Sequence, residues 1–426
     1  MQGPLSREGI TMNRPITGAA GLLALVTLFA GAPAAAQDEG AASLADAISN
    51  GDANFGFRYR YEYVGDDNPG LVEDTANAST VRLRLNYKTG TYRNFTAFGE
   101  FDYVGEILVN DFNNLSGDPG RSDYPVVADV KGADLNQLYL DYDPNADTKI
   151  RAGRQRILLD NQRFVGGVGW RQNEQTYDAA TLKLKAFGNT DIHYSFANHV
   201  RRILGEAVPG GRHRVDAHLL NAKVKLNDSW AISPYYYHLD YQDAAQFGLS
   251  TGTLGVRAVG SVAVGENKLN LVGEFASQSD IGNNPASIDA NYFNLSATYA
   301  LDGGLSFGLA WESLGGDVIA GQAFRTPLAT LHAFQGWADK FLSTPDGGID
   351  DLYFTVKGKA GKWNLTGVYH DFSAETGSAD YGTEIDLSAA RPINDNYSLL
   401  FKAAFYDADQ FSFDTTKFWI MLTGNY

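Results

Sequence analysis

The 426-residue sequence has no cysteine, only 3 methionines, and fewer basic than acidic residues. Without cysteine, a disulfide scaffold, a thiolate metal site and a cysteine nucleophile are excluded. The 34 lysines and arginines face 50 aspartates and glutamates, which gives a net charge of −16. A nucleic-acid-binding protein needs a basic face to meet phosphates, so no nucleic-acid partner is expected. A mean hydropathy of −0.25 argues against a bundle of membrane helices, because each helix needs about 20 apolar residues.

The amino terminus predicts an export signal. Translation is expected to start at Met12, and an uncharged apolar run over residues 19–32 is followed by the small residues 34–36. A single membrane anchor is the alternative, but the apolar run is short for a spanning helix. The expected domains are a signal peptide over residues 1–36 and a β-barrel over residues 37–426.

Abundant tyrosine, phenylalanine and glycine point to many strands and many tight turns. In residues 54–64 the aromatic side chains fall on one face, whereas Arg58, Arg60 and Glu62 fall on the other. Successive side chains of a strand point to opposite faces, so one face of this strand is apolar and the other is charged. The alternation recurs in about 18 segments, an even number as single-chain outer-membrane barrels require. The predicted fold is all-β, a transmembrane antiparallel up-and-down β-barrel.

The connections alternate between short turns and long links, as in barrels inserted from the periplasm. The longest links are residues 106–132, 159–175 and 315–349. The least regular strands are residues 148–158, where arginines crowd both faces, and residues 229–240, which contain a proline. A soluble β-sandwich is the alternative, but it would not place aromatic residues on the apolar face of almost every strand.

The last predicted strand, residues 414–426, ends in Tyr426 and resembles the carboxy-terminal assembly signal of bacterial outer-membrane proteins. The resemblance implies the Gram-negative outer membrane as location. It also implies three partners, namely the lipid bilayer, its lipopolysaccharide and the barrel-assembly machinery.

A barrel of this size is too wide to be filled by its own side chains, so its inner face should line water. Alternation predicts more basic than acidic residues on that face. The candidate pore-lining residues on the strands are Arg58, Arg60, Arg82, Arg84, Arg151, Arg154, Lys183 and Lys185. Inward acids are fewer, and a basic pore with low-dielectric walls favours anions. The alternative is that the lumen charges pair off and only keep the interior hydrated.

The link after residue 158 adds Arg163 and Arg171 to the candidate pore-lining residues. Arginine binds carboxylates in a bidentate manner and keeps its charge. Gly166 and Gly167 would let part of this link bend into the pore.

This stretch resembles the alginate-export family of outer-membrane porins. The shared features are an R-x-G-R-Q strand, a following arginine near glycines, a tryptophan and a Tyr/Phe-Asp pair. The matching residues are Arg151, Gly153, Arg154, Gln155, Arg163, Gly166, Trp170 and Asp178. The resemblance implies an arginine-lined conduit for an anionic sugar polymer or another carboxylate. A general porin, or one specific for carboxylates or amino acids, is the second interpretation.

Enzymatic motifs are weak. The seven histidines are scattered, without a metalloprotease motif or a serine nucleophile elbow. His193 and Ser195 share one predicted face, so an outer-membrane hydrolase is a remote alternative. The acid pairs at residues 66–67 and 350–351 could bind calcium, although solvated loop charge is the simpler interpretation. No catalytic residue, metal ligand or cofactor is predicted.

Overall fold

A computed structural model describes residues 40–317, 319 and 321–426. The predicted signal peptide, residues 1–36, lies outside the described residues, and its cleavage stays a prediction. A short helix, α1 (Leu44–Ser49), precedes the first strand, and the Ser43 side chain caps it by accepting a hydrogen bond from the Asp46 amide. Within the described residues, no helix is long and apolar enough to cross a membrane.

Eighteen strands follow, as the alternating pattern predicted. They are β1 (Asp52–Asp66), β2 (Thr75–Lys88), β3 (Phe95–Asp111), β4 (Gly132–Asn145), β5 (Thr148–Gln155), β6 (Thr176–Ala186), β7 (Thr190–Arg201), β8 (Arg212–Lys225), β9 (Trp230–Tyr241), β10 (Thr251–Val264), β11 (Asn267–Asp280), β12 (Asp289–Ala300), β13 (Ser306–Leu314), β14 (Ile349–Ala360), β15 (Trp363–Ser373), β16 (Asp380–Pro392), β17 (Tyr397–Asp407) and β18 (Thr415–Asn425).

Each strand pairs antiparallel with its neighbours in the chain, and β1 pairs with both β2 and β18. The sheet is therefore closed, which removes the unpaired edges that lipid does not tolerate. Short turns such as residues 146–147 and 361–362 alternate with long links such as residues 156–175 and 315–348. This confirms the predicted up-and-down barrel, with the short turns assigned to the periplasmic end.

The outer face of the barrel is apolar, and much of the buried core lies inside the lumen. Leu85 and Leu295 are 56% and 57% exposed, as expected for side chains that face lipid. The largest buried cluster includes Phe164 and Phe324, which lie in two long links, and Tyr292 of β12. In this cluster the two links pack against the inner face of the wall.

The two irregular strands differ from their predicted bounds for different reasons. β5 ends at Gln155 rather than residue 158, because the chain then leaves the wall. Gly153 has φ +127°, and a Cβ there would lie 2.3 Å from the Leu138 carbonyl oxygen, so only glycine fits. Pro234 lies inside β9, opposite Val256 of β10, and the ladder from β9 to β8 is interrupted beside it. Proline has no amide to donate, which accounts for that interruption.

Candidate functional site in the lumen

Two extracellular links fold into the barrel instead of staying at its rim. We call them inner loop A (residues 156–175) and inner loop B (residues 315–348). Val165 of inner loop A forms a bridge with Leu328 of inner loop B, and the Gly166 amide donates to the Leu328 carbonyl at 2.8 Å. A Cβ at Gly166 would lie 2.2 Å from another side chain, so the close approach requires glycine.

Arg58 of β1 is on the inner face, where it holds inner loop A. Its Nε donates to Gln172 Oε1 and its Nη1 donates to the Gly169 carbonyl, both at 2.9 Å. The side chain is buried, and no carboxylate among the described residues lies within 4.0 Å of it. Carbonyl and amide oxygens therefore solvate the guanidinium, and its positive charge has no direct counter-ion.

Arg60 also faces inward but is neutralised. It donates to the Trp170 carbonyl at 2.6 Å and forms a buried ion pair with Asp129 of the β3–β4 link. Burial alone would raise the pKa of Asp129, but Arg60 and Arg171 outweigh burial and lower it. The pair therefore stays ionised and fixes the loop to the wall.

The Glu174 carboxylate of inner loop A forms ion pairs with three arginines. Its carboxylate lies 3.3 Å from Arg82, 2.8 Å from Arg84, and in direct contact with Arg156. Arg84 also pairs with Asp102 at 2.6 Å. Burial would raise the pKa of Glu174, but the charges of Arg156 and Arg84 lower it to about 2. The predicted basic row on β2 is thus largely paired.

Arg171 joins both inner loops to the wall. It lies 3.1 Å from Glu62 of β1 and 3.0 Å from Asp339 of inner loop B, and Asp339 also meets Lys417 of β18 at 2.9 Å. Burial would lower the pKa of Arg171, but the facing carboxylates raise it. Like the arginines of β2, Arg171 is neutralised by ion pairs within the protein.

Arg163 reaches a different part of the wall. Its Nε lies 2.8 Å from Glu312 of β13, and Nη2 donates to Gln335 of inner loop B at 3.0 Å. Arg163 and Glu312 are 1% and 2% exposed, so this is a fully buried ion pair.

An aromatic cluster lies where inner loops A and B contact each other. Trp170 stacks on His332 with ring centroids 4.6 Å apart, and Lys402 Nζ lies 4.4 Å from the Trp170 centroid and 3.7 Å from that of Trp337. Lys402 Nζ also lies 2.6 Å from His332 Nε2. Burial lowers the pKa of His332 to about 3, although the neighbouring Asp339 acts in the opposite direction. Trp170 thus acts as an anchor inside this cluster.

The R-x-G-R-Q motif splits between the two faces of the barrel. Arg151 lies inside, with Nε 2.6 Å from Asp141 and its guanidinium 3.6 Å from the Tyr139 ring centroid. Arg154 was predicted to line the pore, but the register pairs it with Leu138 and Asp178 on the outer face. The two arginines are an odd number of residues apart, so alternation itself separates them.

The periplasmic half of the inner wall carries lysines without ion pairs. Their side chains are exposed, and no carboxylate of the described residues lies within 4.0 Å of them. We call them the periplasmic lysines, and they are Lys88, Lys183, Lys185, Lys223, Lys225, Lys268, Lys357 and Lys359. On the same part of the inner wall, the only described carboxylates outside ion pairs are Asp52 and Asp191. Lys183 and Lys185 are the two predicted residues that remain open to the lumen.

A cavity of about 540 Å³ lies on the extracellular side of the loops, between Asp66, Arg171, Lys340 and Lys417 among others. Asp66, one of the acidic residues considered for calcium binding, forms an ion pair with Lys340 at 2.9 Å. Within the described chain, no group of three or more acidic or histidine side chains could hold a metal ion.

His193 and Ser195 do meet, with Nε2 and Oγ 2.8 Å apart. Ser195 Oγ is also 2.7 Å from Thr181, and no carboxylate of the described residues is bonded to His193. The pair therefore lacks the third group that orients a catalytic base.

Several residues of the site are not predicted by the sequence analysis. Lys402 and Lys417 follow the strand alternation, so the signal that placed the β1 arginines could have placed them as well. Glu174, His332 and Asp339 lie in links without any period, and only the fold brings them to the wall.

The fold and motif have known relatives. A family model described as "Alginate export" matches residues 52–313. OccK9 (OpdG) of Pseudomonas aeruginosa is similar in structure, with a TM-score of 0.67 at 15% identity over 89% of this chain and 99% of that chain. OccAB2 of Acinetobacter baumannii gives a TM-score of 0.68 at 14% identity over the same shares of the two chains. No curated protein sequence matches significantly.

Proposed function

The chain belongs to the alginate export family of outer-membrane channels, and from that premise we propose that it conducts anionic solutes. The family consists of transport proteins, as expected from a sequence without an enzymatic motif. The single observation that carries the anionic preference is the excess of the eight periplasmic lysines, none in an ion pair, over the two unpaired carboxylates beside them, Asp52 and Asp191.

The periplasmic half of the inner wall carries more positive than negative charge. The periplasmic lysines stand on β2, β6, β8, β11 and β14, and so are distributed around the wall. Low-dielectric walls focus their field into the water of the lumen, which raises the local concentration of anions. The screening length is about 8 Å at physiological salt, so lysines on neighbouring positions act together on one passing carboxylate.

The predicted arginines take a second role in this proposal. Arg82, Arg84, Arg163 and Arg171 hold the inner loops through ion pairs. Arg60 holds inner loop A through the Trp170 carbonyl and pairs with Asp129 of the β3–β4 link, and Arg151 is neutralised at the wall. Arg58 has no carboxylate partner, but it is buried against inner loop A, where only neutral oxygens contact it. We therefore assign Lys183 and Lys185 as pore charges, and Arg58 and the paired arginines as positioning residues.

We further propose a carboxylated sugar or sugar polymer as the solute. The support is the family's description and the distribution of exposed lysines over several strands, because several separate contacts permit release as well as capture. The lipid bilayer surrounds the barrel, and we extend the proposal to lipopolysaccharide and to the barrel-assembly machinery as partners.

A second candidate is a channel for zwitterionic amino acids. It is favoured by Asp351, Glu384 and Asp386 on the inner wall at β14 and β16, which lie within 4.0 Å of no described lysine or arginine and stand across the closed sheet from the lysines of β6 and β8. Walls of opposite charge suit a molecule that carries both signs.

Planar-bilayer recording separates these functions. Under a salt gradient the reversal potential should show anion preference, and oligomers of a uronic acid should block the current more strongly than neutral oligomers of equal length. Block by amino acids but not by uronates would favour the second candidate. Cation preference would contradict both the charge argument and the anionic solute.

A further inference from the structure

Arginines on the lipid-facing side of the barrel are concentrated in one sector of the extracellular half. We call them the outer arginine patch, and they are Arg154 of β5, Arg201 of β7, and Arg212 and Arg214 of β8. No other described strand presents an arginine or lysine on its outer face in that half of the barrel.

The strand register shows that the patch is continuous. Arg154 pairs with Asp178, Asp178 pairs with His199, and His199 pairs with Arg214, so these positions form one row across four strands. Arg201 and Arg212 pair with each other in the next row. Inward residues such as Tyr177 and Val200, both 0% exposed, alternate with these rows and confirm that the rows face outward.

The height of the patch fits a lipid headgroup. On β8 the outward side chains below Arg214 are Asp216, then His218, then Leu220. Each outward position adds roughly 5 Å along the membrane normal, given a rise of about 3.4 Å per residue and a tilt of about 40°. Arg212 and Arg214 therefore stand about 10 to 15 Å above His218, past the apolar band.

The four arginines of the patch differ in how far neighbouring carboxylates already neutralise them. Arg154 lies 3.0 Å from Asp178 and 3.3 Å from Glu206, and Arg201 shares Asp178 at 2.7 Å. Arg214 pairs with Asp243 at 2.9 Å but keeps 59% of its side chain exposed. Arg212 contacts only the His199 ring among described side chains, so it has no carboxylate partner.

We infer that the outer arginine patch binds a phosphate group of the glycolipid in the outer leaflet, with Arg212 and Arg214 as the main ligands. Guanidinium groups bind phosphate oxygens in a bidentate manner and are more weakly hydrated than ammonium groups. Asp216 and Asp240 lie on the outer face one step below Arg214, which directs the anion to the upper row. The inference depends on the outer-membrane location and not on which solute the channel conducts.

The test measures the lipid that the folded protein retains. Wild-type protein and the Arg212→Gln/Arg214→Gln variant would be purified in mild detergent, incubated with bisphosphorylated lipid A or with enzymatically dephosphorylated lipid A, and analysed by native mass spectrometry. Arg391→Gln serves as the matched control, because Arg391 stacks on Trp363 near the periplasmic end of β16. Heat-modifiable migration in electrophoresis checks that each variant is folded.

We expect the double variant to retain several-fold less bisphosphorylated lipid A than the wild type and the control, with equal retention of the dephosphorylated form. Equal retention of the phosphorylated lipid by all three proteins would overturn the inference. Wild-type binding that does not depend on phosphate would also overturn it. Should the double variant not fold, Arg212→Gln alone, whose side chain makes no ion pair, gives the same comparison.

Discussion

The two halves of the lumen hold basic residues in opposite states. Towards the extracellular side, arginines such as Arg84 and Arg171 are buried beneath inner loops A and B and are paired with carboxylates. Towards the periplasm, lysines such as Lys183 and Lys223 are exposed and have no carboxylate within 4.0 Å. The comparison shows that the charge which acts on a solute depends on pairing, and not on the number of basic residues facing inward.

The chemistry of each residue suits its place. Arginine forms planar, bidentate contacts, so it can bind several carbonyls or carboxylates of an inserted loop at once. Lysine is a compact and strongly hydrated charge on a flexible stem, which suits weak and reversible contact with a moving anion.

The largest expected effect comes from removing the inner loop that occupies the extracellular half. Replacing residues 163–171 with a short glycine-serine segment should raise single-channel conductance severalfold, because Arg163, Trp170 and Arg171 would no longer hold inner loops A and B across the lumen. Conductance in planar bilayers measures this. An unchanged conductance would mean that the loops do not limit flow.

Breaking one buried pair should cost more than breaking an exposed one. Glu312→Gln leaves Arg163 buried without its counter-ion, and we expect a loss of about 3–5 kcal/mol in unfolding free energy. Asp143→Asn removes one partner of Lys149 in a pair in which each side chain is 38% exposed, and we expect a loss of about 0–1 kcal/mol. Denaturant titration of both variants gives the ranking, and equal losses would contradict the contrast between the halves.

Acid should loosen the extracellular half before the periplasmic half. His332 has a pKa lowered to about 3 by burial, so its neutral form contributes stability above the ordinary value of 6.5, and that contribution is lost as pH falls from 6.5 towards 3. Glu174, with a pKa of about 2, adds a loss as pH falls from 4.5 towards 2. Limited proteolysis of inner loop B against pH should show this, and His332→Gln should remove the first phase but not the second.

The smallest expected effect concerns salt. Raising ionic strength shortens the screening length from about 8 Å at 0.15 M to about 3 Å at 1 M, so anion preference should weaken while the buried loop contacts persist. Reversal potentials and proteolysis at both salt concentrations test the two halves in parallel. Loss of loop protection at high salt would show that the extracellular pairs are screened as the lysines are.

The barrel was predictable because strand alternation is a local property with a period of two. Arg58 and Lys183 follow that period, and each lies on the face that it predicted. Arg154 does not fit a pore role, because the chain alternates regularly from Arg151 and carries it to the outer face. The motif predicted that both arginines share one site, but alternation along the strand places them on opposite faces of the barrel wall.

The pairing of the arginines could not be predicted from the sequence. Glu174 and Asp339 reach them from links without periodicity, and inner loop B enters the lumen through contacts made by Leu328 and Trp170 across long sequence separations. Such contacts depend on the closed wall, so they appear only at the level of tertiary structure.

The measurement that tests the account most directly compares two sets of lumen variants by reversal potential under a salt gradient. Lys183, Lys185, Lys223 and Lys225, all changed to glutamine, should lose most of the anion preference and stay folded. Arg82→Gln, which leaves Arg84 and Arg156 to neutralise Glu174, should change selectivity much less. Full anion preference in the lysine variant, or its loss in the arginine variant alone, would contradict the assignment of selectivity to the periplasmic lysines.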